Sequence, residues 1–170
     1  MIDLEQMNIP SGGESKFPKL KTGDNIFRFL DAPVEGYLYW EDRVCTHLKS
    51  AGEAPDNVDL KYFWHFPVWM DDDVRYITIT QKTVLEAIKN ISNSDPSYKN
   101  LADYDIKVTG TGEKMERKYT VVPLPIKEIS SEAKSAWESE KKHWDGSLLF
   151  KNEHKNNETN SQTTDDDLPF

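Results

Sequence analysis

Cysteine is nearly absent from this chain: Cys45 is the only one in 170 residues. No intrachain disulfide can form, which excludes the small stapled scaffolds of the secretory route. No apolar run approaches the roughly 18 residues that a membrane span needs. No basic stretch followed by an apolar one opens the chain as a signal peptide would, so a soluble intracellular chain is expected. Glycine is sparse, at eight residues. The nearest approach to a phosphate-cradling loop, Gly110-Thr111-Gly112, has neither the lysine nor the spacing of one. Positive charge is also short, with 21 Lys and Arg against 30 Asp and Glu and a formal net charge of −9. The last twenty residues hold five acids against two lysines, which leaves the first 150 at −6. A global positive field, the usual footprint of a nucleic-acid binder, is missing. Any contact with a polyanion must then rest on a local patch and on stacking.

What the chain does have is aromatic residues, 11% of its length, concentrated in a few runs. Residues 1–20 read as a flexible arm, broken by Pro10-Ser11-Gly12-Gly13. From Asp24 to Asp31 the pattern predicts a strand, kinked near Pro33 and Gly36 and continuing through Tyr37–Trp40 and Arg43–Leu48. A long loop covers Lys49–Asp59. Two β-rich runs, Leu60–Trp69 and Val74–Thr80, flank the acidic Asp71-Asp72-Asp73 and predict a hairpin. Val84, Leu85, Ile88 and Ile91 make one apolar stripe on a helix from about Gln81 to Asn93, stopped by Asp95-Pro96. Strands at Tyr104–Thr109 and Arg117–Val122 follow. A second helix is expected from about Ser130 to Trp144, with Trp137 and Trp144 on one face and Asp145-Gly146 as its stop.

This order predicts a mainly β domain over residues 21–150. It is that of a five-stranded Greek-key OB barrel with a helix between its third and fourth strands, followed here by a C-terminal helix. Residues 151–164 contain no aliphatic or aromatic side chain and cannot offset their ordering entropy by burial. A disordered linker of about 20 Å mean span is expected there, leading to an acidic tail within 151–170.

An even-numbered hairpin loop sets Trp69 across from Val74 and His65 across from Thr78, and alternation then separates two faces. Tyr62, Trp64, Phe66, Val68, Ile77 and Ile79 form the face expected in the core. Lys61, Phe63, His65, Trp69, Tyr76 and Thr78 form the other. Rings interleaved with a cation and a histidine are what base stacking on a single strand requires. The bland alternative is a second core layer beneath the helix at 130–144. Arg28, Arg43, Lys61, Lys107 and Lys118, all on predicted strands, are candidate phosphate contacts. Asp71-Asp72-Asp73 reads as a solvated turn before it reads as a metal site, and Cys45 with His47 supplies only two ligands. No metal, cofactor or catalytic residue is assigned, and the chain is read as a binding protein, not an enzyme.

The last six residues, Asp165-Asp166-Asp167-Leu168-Pro169-Phe170, resemble the tip of bacterial single-stranded DNA-binding proteins, from which only Leu168 in place of isoleucine departs. The resemblance implies recruitment of host replication and repair proteins. The terminal Phe would enter an apolar pocket while the acids meet basic partner residues. The body resembles the OB-fold single-stranded DNA-binding proteins of bacteriophages. That likeness lies in Lys19–Leu30, Lys61–Trp69, Ile79–Thr83 and Tyr104–Thr109, over roughly residues 19–123. It implies coating of single-stranded DNA in phage replication, recombination and repair, in the host cytoplasm. One phage relative of similar duties carries a cysteine-rich zinc site without counterpart here, so no metal carries over. Two other readings stay open: a decoy that presents the tail without binding DNA, and a Mg²⁺-dependent nuclease using Asp71, Asp72, Asp73 or Asp103.

Overall fold

Two tight reversals organise the chain. Asp71 and Asp72 adopt φ of 54° and 59°, the left-handed pair that a two-residue hairpin turn needs and that Asp tolerates better than most residues. The turn joins Lys61–Met70 to Asp73–Ile79, with Met70 across from Asp73 and Trp69 across from Val74. The loop is even, the condition on which the sequence sets Trp69 across from Val74. A second such turn, Asp42 and Arg43 at φ of 51° and 67°, reverses the chain between Val34–Glu41 and Val44–Leu48.

The computed structural model describes residues 2, 4, 7, 23–112 and 116–150. These form a mainly β protein: an antiparallel sheet of seven strands with two α-helices. The strands are β1 (Gly23–Phe29), β2 (Val34–Glu41), β3 (Val44–Leu48), β4 (Lys61–Met70), β5 (Asp73–Ile79), β6 (Ile106–Thr111) and β7 (Lys118–Pro123). Helix α1 (Lys82–Ser94) lies between β5 and β6, and α2 (Ser131–Glu140) follows β7. The sheet runs β3-β2-β4-β1-β6-β7, with β5 paired to β4. Five strands were expected. The count rises because the chain breaks between Phe29 and Val34, and because the Asp42-Arg43 turn folds β3 back on β2 instead of extending it. The described pairings include none between β5 and β7, the contact that would close a five-stranded barrel.

The main core lies between the inner face of the sheet and α1. Phe27, Phe29, Trp64, Phe66, Val68, Ile77 and Ile79 meet Val84, Leu85 and Ile88 there, with Ile91 packed against the cluster. Phe29 and Phe66 stack at 4.2 Å between centroids, and Trp64 Nε1 donates to the Tyr62 hydroxyl at 2.9 Å. Ile2, Leu4 and Met7 also belong to this core. The Ile2 N–H donates to Asn100 Oδ1 at 2.8 Å, and Lys89 Nζ donates to the Met7 carbonyl. The expectation of a loose arm over 1–20 therefore fails at its start, where three apolar side chains have found buried partners. Residues 8–22 lie outside the described residues, as do the linker and tail over 151–170. Among the described residues no helix is long and apolar enough to cross a membrane.

Candidate nucleic-acid interface

Alternation along β4 and β5 puts the even residues of β4 in the core and the odd ones on the opposite face. Trp64, Phe66 and Val68 are fully buried, whereas Lys61, His65 and Trp69 are half-buried. Their partners on β5 are Thr78 for His65 and Val74 for Trp69, with Tyr76 across from Pro67. The same outward face runs onto β2 and β3 through Val34, Gly36, Leu38, Cys45 and His47, and onto β1 and β6 through Ile26 and Lys107.

Two predicted contacts are corrected. Phe63 is fully buried in a second, smaller core with Leu38 and Cys45. The ring of His47 meets it edge-on at 5.4 Å, and Phe150 lies 6.2 Å away. The folded-back β3 and the C-terminal segment close over Phe63, so it offers no face to a base. Arg28 is also buried, at 1% exposure. Its Nε donates to Asp105 Oδ1 at 2.8 Å and its Nη1 to the Lys127 carbonyl at 2.8 Å. The chain after β7 crosses the guanidinium and shields it, so Arg28 ties that segment to β1 and is withdrawn from phosphate.

The remaining candidates fall into separate groups. Lys61 sits 3.8 Å from Asp59, and Arg43 stands exposed in the β2–β3 turn. Lys107 lies in a cross-strand row between Ile26 and Val122, apolar residues 42% and 40% exposed. Lys118, at the start of β7, is exposed across from Thr111. Trp69 pairs with Arg28 on β1.

On the β4–β5 face the rings have company. Trp144 stacks on Tyr76 with centroids 5.5 Å apart and planes at 22°, and lies 5.8 Å from the ring of His65. The Tyr76 hydroxyl donates to Glu140 Oε2 at 3.1 Å. Burial, then that bond, pushes its pKa up to about 12. One ring nitrogen of His65 is 2.8 Å from Thr78 Oγ1. Burial, with His47 nearby, brings the His65 pKa down to about 4, so the ring is neutral at pH 7. Segment 141–150 thus covers part of the face expected to be open. The expectation of one long helix carrying Trp137 and Trp144 on one face is corrected: α2 ends at Glu140, and Trp144 caps a separate 3-10 turn over Lys141–His143. The Asp145-Gly146 stop was visible in the sequence, but where the chain went after it was not.

Asp71 and Asp72 form the β4–β5 turn, Asp71 reaches Arg75 at 3.7 Å, and Asp73 Oδ1 accepts from the Val74 N–H. Asp103 belongs to a distant 3-10 turn, Leu101–Asp103. Among the described residues no three His, Cys, Asp or Glu side chains gather as a metal-binding group. A cavity of about 500 Å³ opens near the start of α2, lined by Asp103, Ile126, Lys127, Glu128 and Lys134 among others. It includes none of the predicted DNA contacts. Comparison with protein-family models, with curated proteins and with solved structures finds no match for this chain.

Proposed function

We propose that this protein binds single-stranded DNA on the outward face of its sheet, and recruits host replication, recombination and repair proteins through Asp165–Phe170. The observation that carries the first part is the β4–β5 register. It keeps Lys61, His65, Trp69, Tyr76 and Thr78 on one side of the sheet, away from the main core. Aromatic rings beside a few cations bind a single strand with little regard to sequence, which suits a chain of net charge −9. The element order supports an OB reading. β1 and β2 lie along one edge of β4 like a kinked first strand. Strands β4 and β5, helix α1, then β6 and β7 supply the rest, and β3 is an added edge strand. The recruiting segment rests on its sequence alone: an aromatic anchor, a stiffening proline, and acids that steer the encounter.

The covered rings and the acidic composition favour a second reading, in which the protein displays its tail to host partners without binding DNA. A gel shift with labelled oligothymidine separates the two. The proposal expects a retarded species that unlabelled single strands compete away better than duplex or RNA. It also expects Trp69→Ala to weaken binding by about 1–3 kcal/mol while the fold persists. Absence of any retarded species at low salt leaves the decoy reading standing.

A further inference from the structure

The face that the binding reading assigns to bases already carries a planar ring from elsewhere in the chain. Trp144 lies flat on Tyr76 and beside His65. We propose that this is a nucleobase slot: in the DNA-free protein Trp144 holds the place on Tyr76 and His65 that a base of single-stranded DNA takes in the complex, and segment 141–150 leaves the face when DNA binds. The inference rests on the binding reading above and locates where the base stacks.

Several features argue for an exchangeable occupant over a permanent core layer. The indole is a flat bicycle of nearly purine size, and the slot meets it with ring faces, the sequence-tolerant contact that any base can also make. Thr78 fixes the His65 ring, which is uncharged at pH 7 and so presents a π-face instead of a cation.

The segment also holds its own shape. The Trp144 N–H donates to the Lys141 carbonyl at 3.1 Å, the Leu148 N–H to the Asp145 carbonyl at 3.0 Å, and the Ser147 N–H to Asp145 Oδ1 at 3.0 Å. Neither of its 3-10 turns, Lys141–His143 and Gly146–Phe150, buries a residue. Lifting it forfeits ring contacts at Tyr76, His65 and Phe63 and the packing of Leu149 and Phe150 on the second core, but leaves these bonds intact. Helix α2 stays anchored through fully buried Ala133, so the hinge falls where the helix ends at Glu140.

The charges around the slot are mixed. Glu140, whose carboxylate accepts from the Tyr76 hydroxyl, belongs to the anchored helix and stays when the segment lifts. Immediately after Glu140 come Lys141, Lys142 and His143, all exposed, with Lys141 Nζ bonded to Glu138 Oε2 at 3.0 Å. The seating is close: a Cβ on Gly146 would clash with Val34 and press on the ring of Trp144. A larger residue there should lift the segment with Tyr76 and His65 themselves unchanged.

The test uses the full chain. Trp144→Ala removes the occupant and Gly146→Val unseats it, and both should bind oligothymidine roughly three- to tenfold tighter than wild type, a share of what one stacked ring is worth. Tyr76→Ala added to Trp144→Ala should abolish the gain. Oligouridine and duplex run alongside show whether the gain belongs to single-stranded DNA. In the unaltered chain, amide hydrogen exchange over 141–150 should accelerate on saturation with oligothymidine while that of β4 and β5 slows. This measurement decides the matter even if a variant fails to fold. If wild type binds but the folded variants bind no tighter, or exchange over 141–150 stays the same or slows, the slot is wrong and the binding reading stands. If no form binds, wild type included, the binding reading fails and takes the slot with it.

Discussion

Arg28 was expected among the phosphate contacts, and its burial turns it into a test of the fold. The guanidinium bridges Asp105 and the Lys127 carbonyl. Removing it strands a partly shielded carboxylate and a carbonyl, although Lys127 Nζ beside Asp105 and the backbone bonds from the Leu124 and Lys127 N–H groups still hold the segment. Arg28→Ala should cost about 2–4 kcal/mol, read by denaturant unfolding. The salt dependence of DNA binding should not change, because no phosphate contact is lost. A normal midpoint with a shallower salt slope would restore Arg28 to the interface. His65 supplies a second test through pH. Its folded pKa of about 4 lies below the ordinary 6.5, so between those values the unfolded chain binds a proton that the folded one refuses. Its contribution to stability is therefore complete above pH 6.5 and is lost as pH falls toward 4, by about 2–3 kcal/mol. His65→Gln should flatten the fall in stability between pH 7 and pH 4.5. An unchanged slope would mean that His65 titrates freely.

At the scale of elements, the β4–β5 hairpin decides the most, because its two-residue turn sets which side chains share a face. Asp71 and Asp72 both pay for left-handed backbone. An Asp-Gly pair is the commonest solution to such a turn. Asp72→Gly should relieve the strain and stabilise the protein by about 0.5–1 kcal/mol, measured as a shift in unfolding midpoint. A loss of stability would mean that the Asp72 side chain holds the turn by some other contact. The same register makes Phe63 an element-level residue. It ties β4 to the folded-back β3 and to Phe150, so its truncation belongs with core deletions and not with lost stacking.

For the whole molecule, binding as proposed requires an acidic chain of net charge −9 to hold a polyanion and release it. The proposed tail adds three aspartates, Asp165, Asp166 and Asp167, on a polar tether. Short flexible tethers give local concentrations on the order of millimolar. Removing 165–170 should raise affinity for single-stranded DNA, most at low salt, with the difference fading as screening grows. Deleting Phe170 alone should leave DNA affinity nearly unchanged and abolish capture of host partners. A gel-shift series across salt and a pull-down from host extract check the two halves separately. Equal affinity of full-length and truncated chains at every salt concentration would show that the tail never competes with DNA. Host capture that survives loss of Phe170 would remove the recruiting role.

Sequence alone determined the elements whose signals are local. The period-two runs expected at 60–69 and 74–80, the apolar stripe on α1 and the acidic turn all stand within a residue of where they were expected, because alternation and turn chemistry act between near neighbours. It left the inward and outward sides of the hairpin conditional on an even loop, because an odd loop or a bulge flips one strand; the two-residue turn of the folded chain meets that condition. Tertiary structure alone decided which outward residues stay open. Leu38 and Cys45 against Phe63, the 124–129 segment over Arg28, and Trp144 on Tyr76 are contacts between residues far apart in the chain. No local pattern encodes them. A ring on a strand's outer face has the same sequence signature whether a base or an indole lies against it. What distinguishes the two is the path of the chain after Glu140, and that path is set by packing on a sheet that must already be folded.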